Sequence, residues 1–197
     1  MLIDGRDARE RSQLWLHSKI GYVLQTPYLF SGTVRDNLRY GKPDATDEEI
    51  LEALRLASAD FVVNRMEKGL DSEVGEGGDM LSTGEKQLLS IARAILAEPR
   101  ILVLDEATSS VDTLTERAIQ DAIAAVIRGR TSFVIAHRLS TIIGADVILA
   151  VRDGKILEQG THSELMEKKG YYYQLYTRQY EETASHRAVD SVLAGTV

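Results

Sequence analysis

The chain has 197 residues, 44% hydrophobic and 27% charged, with 23 basic against 30 acidic side chains and a formal net charge of −7. That balance excludes a wholly disordered chain, gives room for one domain with a sizeable core, and lacks the basic footprint that a phosphate backbone demands, so no nucleic acid is expected as a partner. Without cysteine there is neither a disulfide framework nor a thiolate metal site, and the longest apolar runs, such as Ile101-Leu102-Val103-Leu104, fall far short of a membrane span.

In chain order, Met1-Leu2-Ile3 runs at once into Asp4-Gly5-Arg6-Asp7, which is no signal peptide and reads as a domain entered in mid-course. Ile20 to Leu24 predicts a short buried strand. From Thr46 to Arg65, Asp47-Glu48-Glu49 followed by Ile50, Leu51, Leu54 and Leu56 predicts an acidic helix start and an apolar stripe, part of a helical insertion over about residues 33–98. A second helix runs from Ser82 to Ala97 and is closed by Pro99. Ile101 to Leu104 and Ser132 to Ala136 predict two more strands, and between them Leu114, Ala118, Ile119, Ala122, Ile123 and Val126 recur at helical spacing over Thr113 to Ile127. Val147 to Val151 and Lys155 to Glu158 flank Asp153-Gly154, a hairpin signal. From Glu181 onward periodicity is lost, which predicts a frayed tail over residues 181–197. The fold class is therefore α/β: a parallel sheet core, a helical subdomain, and a C-terminal β-hairpin plus helices, all within residues 1–180.

Three strand ends carry polar groups. Asp105 and Glu106 end the Ile101 strand, at the carboxyl edge where open α/β sheets bind ligands; there an aspartate can hold Mg²⁺ and a glutamate can polarise water for phosphoryl transfer, or the pair merely starts a loop. Gln25 and His137 follow the other two strands, and each taken alone is as well a surface or structural residue. Leu81-Ser82-Thr83-Gly84-Glu85 opens the Ser82 helix, with Ser82 and Glu85 spaced as a capping box and the helix amides free for an anion; the two uses are compatible.

Taken together and in order, these segments resemble the ATP-binding cassette family. Gln25 matches its Q-loop, Leu81 to Glu85 its signature, Ile101 to Glu106 its Walker B with catalytic glutamate, Ser109-Ser110-Val111-Asp112 its D-loop and His137 its switch histidine, over residues 2 to about 180. Pro27 to Asn37 and Glu73 to Gly78 are similar to the exporter branch, where they face the coupling helices of the membrane domain. The resemblance implies a P-loop NTPase-like core in an ATPase that pairs with a second nucleotide-binding domain, on the cytoplasmic face of an exporter's transmembrane domain. It implies Glu106 and His137 as catalytic, with Gln25, Ser82, Thr83, Gly84, Glu85, Asp105 and Asp112 at ATP, and Gln25 and Asp105 on Mg²⁺. Ser82 and Gly84 would meet the γ-phosphate of ATP held by the partner, and Asp112 would couple the two sites.

The match is incomplete. No Gly-x-x-x-x-Gly-Lys-Ser/Thr occurs, since Gly41-Lys42-Pro43 lacks the hydroxyl, and Leu2-Ile3-Asp4-Gly5 resembles the strand just after that loop and its helix. The expectation is an incomplete sheet core that exposes apolar surface around Val103 and Val134, and an isolated chain that does not hydrolyse ATP; a non-catalytic fragment able only to pair with an intact domain is the alternative. The signature departs from the commoner Leu-Ser-Gly-Gly-Gln at Thr83 and Glu85, the latter adding a negative charge at the helix end that would face the partner's triphosphate. With Asp105, Glu106 and His137 intact, this favours a heterodimer over a homodimer. Cassette ATPases of DNA repair and chromosome structure carry long coiled coils between Q-loop and signature, whereas Gln25 to Ser82 is short and has no sustained heptad.

Overall fold

The computed structural model describes residues 2–105, 111–136 and 139–181. The chain forms two compact units, residues 1–135 and 136–197.

In the first unit Leu2–Ile3 (β1) and Arg6–Asp7 (β2) form a small antiparallel ribbon. Its two-residue turn uses positive φ at Asp4 (49°) and Gly5 (75°), the geometry that matches strand twist. After a short helix, Gln13–His17 (α1), comes the central sheet of Ile20–Val23 (β3), Ile101–Asp105 (β4) and Thr131–Ile135 (β5), all parallel with β4 in the middle. Tyr22 pairs with Val103 and Val103 with Phe133; Val23 pairs with Leu104 and Leu104 with Val134.

That register divides the faces. Val23, Leu102 and Leu104 are buried in one core with Leu88, Ile91 and Ala92 of Thr83–Leu96 (α5) and Ile119, Ala122 and Val126 of Thr113–Ile127 (α6). The opposite face is open: Tyr22 is 60% exposed, Phe133 58% and Ile135 56%. This corrects the expected position of the bare apolar surface. Val103 is on the open face and only partly covered, but Val134 packs against the core, because adjacent residues of a strand point to opposite faces. Near-continuous apolar strands suggest burial on both sides, and here one side is covered.

The segment from Thr46 to Arg65 is two helices, Asp47–Leu56 (α3) and Asp60–Asn64 (α4), because Ser58 takes a left-handed φ of 51° and stops the first. The stripe that α3 buries is Ile50, Ala53 and Leu54, while Leu51 and Leu56 face solvent, as a period of 3.6 residues requires. Leu114, expected in the stripe of α6, is likewise 82% exposed. A further helix, Val34–Arg39 (α2), opens with a capping box between Thr33 and Asp36. Caps at Ser82 and Ala97 bound α5 as the sequence predicts, and α6 spans the expected residues.

The second unit contains Leu139–Ile143 (α7), an antiparallel hairpin of Ile148–Arg152 (β6) and Lys155–Gly160 (β7), His162–Lys168 (α8), and helical residues 171–181. Asp153 and Gly154 make its turn with φ of 50° and 72°. Ile148, Ala150, Leu165 and Tyr172 form its core, and the Glu158 carboxylate accepts the backbone N–H groups of Tyr171 and Tyr172 at 3.1 and 2.7 Å. Glu181, expected to open the frayed tail, is helical, and residues 182–197 lie outside the described residues.

Candidate functional site

Parallel pairing brings the carboxyl ends of β3, β4 and β5 to one edge. Asp105 is the last residue of β4 and half-buried; Gln25 follows β3 and is exposed. Among the described residues no hydrogen bond or ion pair engages either side chain. Both supply hard oxygen donors, the kind Mg²⁺ takes, and one carboxylate plus a neutral oxygen suits an ion that draws its remaining ligands from phosphate and water. The same residues include no group of three or more His, Asp or Glu that could enclose a metal by itself. Glu106, Ser109, Ser110 and His137 lie outside the described residues.

The signature turn is built by reciprocal capping. Ser82 Oγ accepts the Glu85 N–H at 3.3 Å, and Glu85 Oε2 accepts the Ser82 N–H at 2.9 Å. Ser82 and Thr83 are exposed, while Gly84 and Glu85 are buried, the latter to 5% exposure. The capping box that the spacing of Ser82 and Glu85 predicts is present, and it turns the Glu85 carboxylate inward, where its Oε1 meets the Arg65 guanidinium at 2.6 Å. No motif marks Arg65. The signal in the sequence is indirect, since a capping glutamate inside a tightly packed turn needs a cation from elsewhere.

A Cβ at Gly84 would lie 2.4 Å from Thr115 Cγ2 and 2.9 Å from Val111 Cγ1. The turn thus packs directly on the segment that holds Asp112. Asp112 itself caps α6, its Oδ1 accepting the N–H groups of Leu114 and Thr115 at 3.1 and 3.0 Å. The Thr115 backbone N–H, foremost among its contacts, holds the Asp112 carboxyl below the ordinary aspartate range. Among the described residues no hydrogen bond or ion pair joins Gln25 or Asp105 to the signature turn.

The two exporter-like segments are bound to each other. Val34 N–H donates to Ser72 O and Val74 N–H to Gly32 O, both at 3.0 Å, and Thr33 bridges Glu73. Buried Asn37 fastens the loop before α2, accepting the Phe30 N–H and donating to Phe30 O, each at 2.8 Å. Arg93 of α5 donates to Asn37 O at 2.9 Å and to its Oδ1 at 3.1 Å, and burial lowers the guanidinium's pKa below its ordinary value. Over this frame Phe30 stacks on Tyr40 at 4.1 Å and meets Tyr28 edge-on at 5.4 Å, leaving an aromatic surface of exposed Tyr28, Phe30 and Tyr40.

Among the described residues no helix is long and apolar enough to cross a membrane. The family model described as ABC transporter matches residues 1–109. The chain is 47% identical over 92% of its length to an uncharacterized ABC transporter ATP-binding protein of Bacillus subtilis, YfiC, and 53% identical over 89% to a fatty acid ABC transporter ATP-binding/permease protein of Mycobacterium bovis. It spans 30% and 28% of the lengths of those relatives. A bacterial Atm1-family ABC exporter solved with ATP bound superposes with a TM-score of 0.82 at 42% identity, over 90% of this chain and 31% of that one. The family match over residues 1–109, with the level of identity and the shared fold, shows that the chain belongs to the ABC transporter family.

Proposed function

We propose that the chain supplies most of the ATP-hydrolysing module of an ABC exporter, its residues not including the Gly-x-x-x-x-Gly-Lys-Ser/Thr loop, with residues 1–180 as nucleotide-binding-domain sequence and the remainder a tail. The observation that carries this reading is the shared carboxyl edge of β3 and β4, where Gln25 and Asp105 keep oxygen donors that nothing among the described residues occupies. In this reading Asp105 and Gln25 hold Mg²⁺, which when bound neutralises charge on the phosphates. Glu106 polarises the attacking water and His137 meets the γ-phosphate. Ser82, Thr83 and Gly84 offer the N-terminal end of α5 to ATP held by a paired domain, Glu85 keeps that end capped, and Asp112, in contact range of the turn through its neighbours, couples the two sites.

The partners follow from the same residues. The aromatic surface of Tyr28, Phe30 and Tyr40, fastened through Asn37 and Arg93, supports docking of a membrane domain there, with the chain at its cytoplasmic face. The second nucleotide-binding domain is proposed to be a different chain; since Glu85 is turned inward and neutralised, that asymmetry rests on Thr83. In the purified full-length transporter, Glu106→Gln is expected to keep ATP binding and to lower turnover by about 10² or more, because the amide preserves shape and loses the carboxylate charge. Near-normal turnover would remove Glu106 from the reaction, and an active preparation containing one kind of chain would remove the heterodimer.

A further inference from the structure

The Arg65–Glu85 pair carries a consequence for the signature turn. Glu85 is the third residue of α5, and a carboxylate there is drawn to the same exposed amides and dipole that would attract a phosphate. A glutamine could supply the capping oxygen without any charge; this chain has the charge. It is buried, with one oxygen spent on the Ser82 N–H and the other 2.6 Å from Arg65, whose own side chain is 54% exposed and reaches over from the end of α4. An unneutralised carboxylate within about 10 Å of a phosphate would weaken its binding on the order of tenfold at the effective dielectric of a protein surface.

We propose that Arg65 is a positioning residue for the signature turn: it cancels the Glu85 charge and holds that side chain inward, so that Ser82 and the following amides stay open to a phosphate of ATP. The inference rests on the proposed reading of this turn as an ATP contact. Arg65 touches no nucleotide. It acts through Glu85, and it ties α4 of the helical segment to the capacity of α5 to bind an anion.

The test is a set of variants in the full-length transporter, assayed for MgATP-dependent turnover. Arg65→Ala is expected to raise the half-saturating MgATP concentration on the order of tenfold while kcat holds within about twofold. Arg65→Gln, which keeps a long polar side chain and loses the charge, gives the same rise. Adding Glu85→Gln to either removes most of it, because no buried charge is left to neutralise. A packing defect would persist in the Glu85→Gln background, so a rise that this second substitution fails to reverse overturns the proposal, as does no rise at all. Ser82→Ala distinguishes a failure of the ATP contact at this turn from a failure of the role of Arg65. If it leaves half-saturation and turnover unchanged, the reading of the turn as an ATP contact falls; if it impairs them while Arg65→Ala does not, only the role of Arg65 falls.

Discussion

At Gly84 a single missing methyl group decides whether two segments can meet. The glycine has no Cβ, and the space a Cβ would need is already filled by Thr115 Cγ2 at 2.4 Å and Val111 Cγ1 at 2.9 Å. Gly84→Ala is therefore expected to destabilise the chain by about 1–3 kcal/mol, the usual range for overpacking. Thr115→Ser, which removes the nearer methyl, should recover part of that loss in the double variant. Urea unfolding of the two single variants and the double variant measures this; additive losses would show that Gly84 and Thr115 do not compete for the same space. The sequence identifies Gly84 as part of a motif and explains it by access to a phosphate. The contact with Thr115 adds a second constraint that no local pattern contains, since the two residues lie on different helices.

Elements in the helical region are joined by charge as well as by packing. Arg35 of α2 pairs with Asp71 at 3.0 Å and also with Asp47 at the start of α3, linking three stretches of chain. The Asp71 carboxyl is held below the ordinary aspartate range chiefly by its hydrogen bond to Arg35, whose own pKa the pair raises. For a carboxylate with a depressed folded pKa, the contribution to stability is complete above the unfolded value and is lost as pH falls through the folded value. Arg35→Gln should thus lower the urea midpoint by a constant amount from neutral pH down to the ordinary aspartate range, and the gap should narrow below it. A gap unchanged into strong acid would show that Arg35 acts through packing alone. The elements themselves are largely legible in the sequence: α5, α6, the three parallel strands and the Asp153-Gly154 hairpin fall where apolar period and turn residues put them. The break at Ser58 and the short helix α2 are not, because each is set by a few residues' backbone geometry with too little apolar periodicity to reveal it.

For the molecule as a whole, the open sheet face is the dominant feature. Tyr22, Phe133 and Ile135 share it with Val103, an exposed apolar surface of the kind that promotes self-association. The 197-residue polypeptide is expected to associate in a concentration-dependent way, and Phe133→Lys to reduce this in sedimentation velocity with little change in the unfolding midpoint, since that ring is already 58% exposed. Equal association by both proteins would show that the face is not involved. By itself the sequence determined the family resemblance, the order of the elements and the strand-end position of Asp105, because caps, turns and apolar periods act over a few neighbouring residues. Only the tertiary structure decided that Val134 packs inward and Phe133 outward, that Gly84 abuts Thr115, and that Glu85 meets Arg65. Those outcomes depend on register and on how helices distant in the chain come together, and local sequence patterns do not encode either.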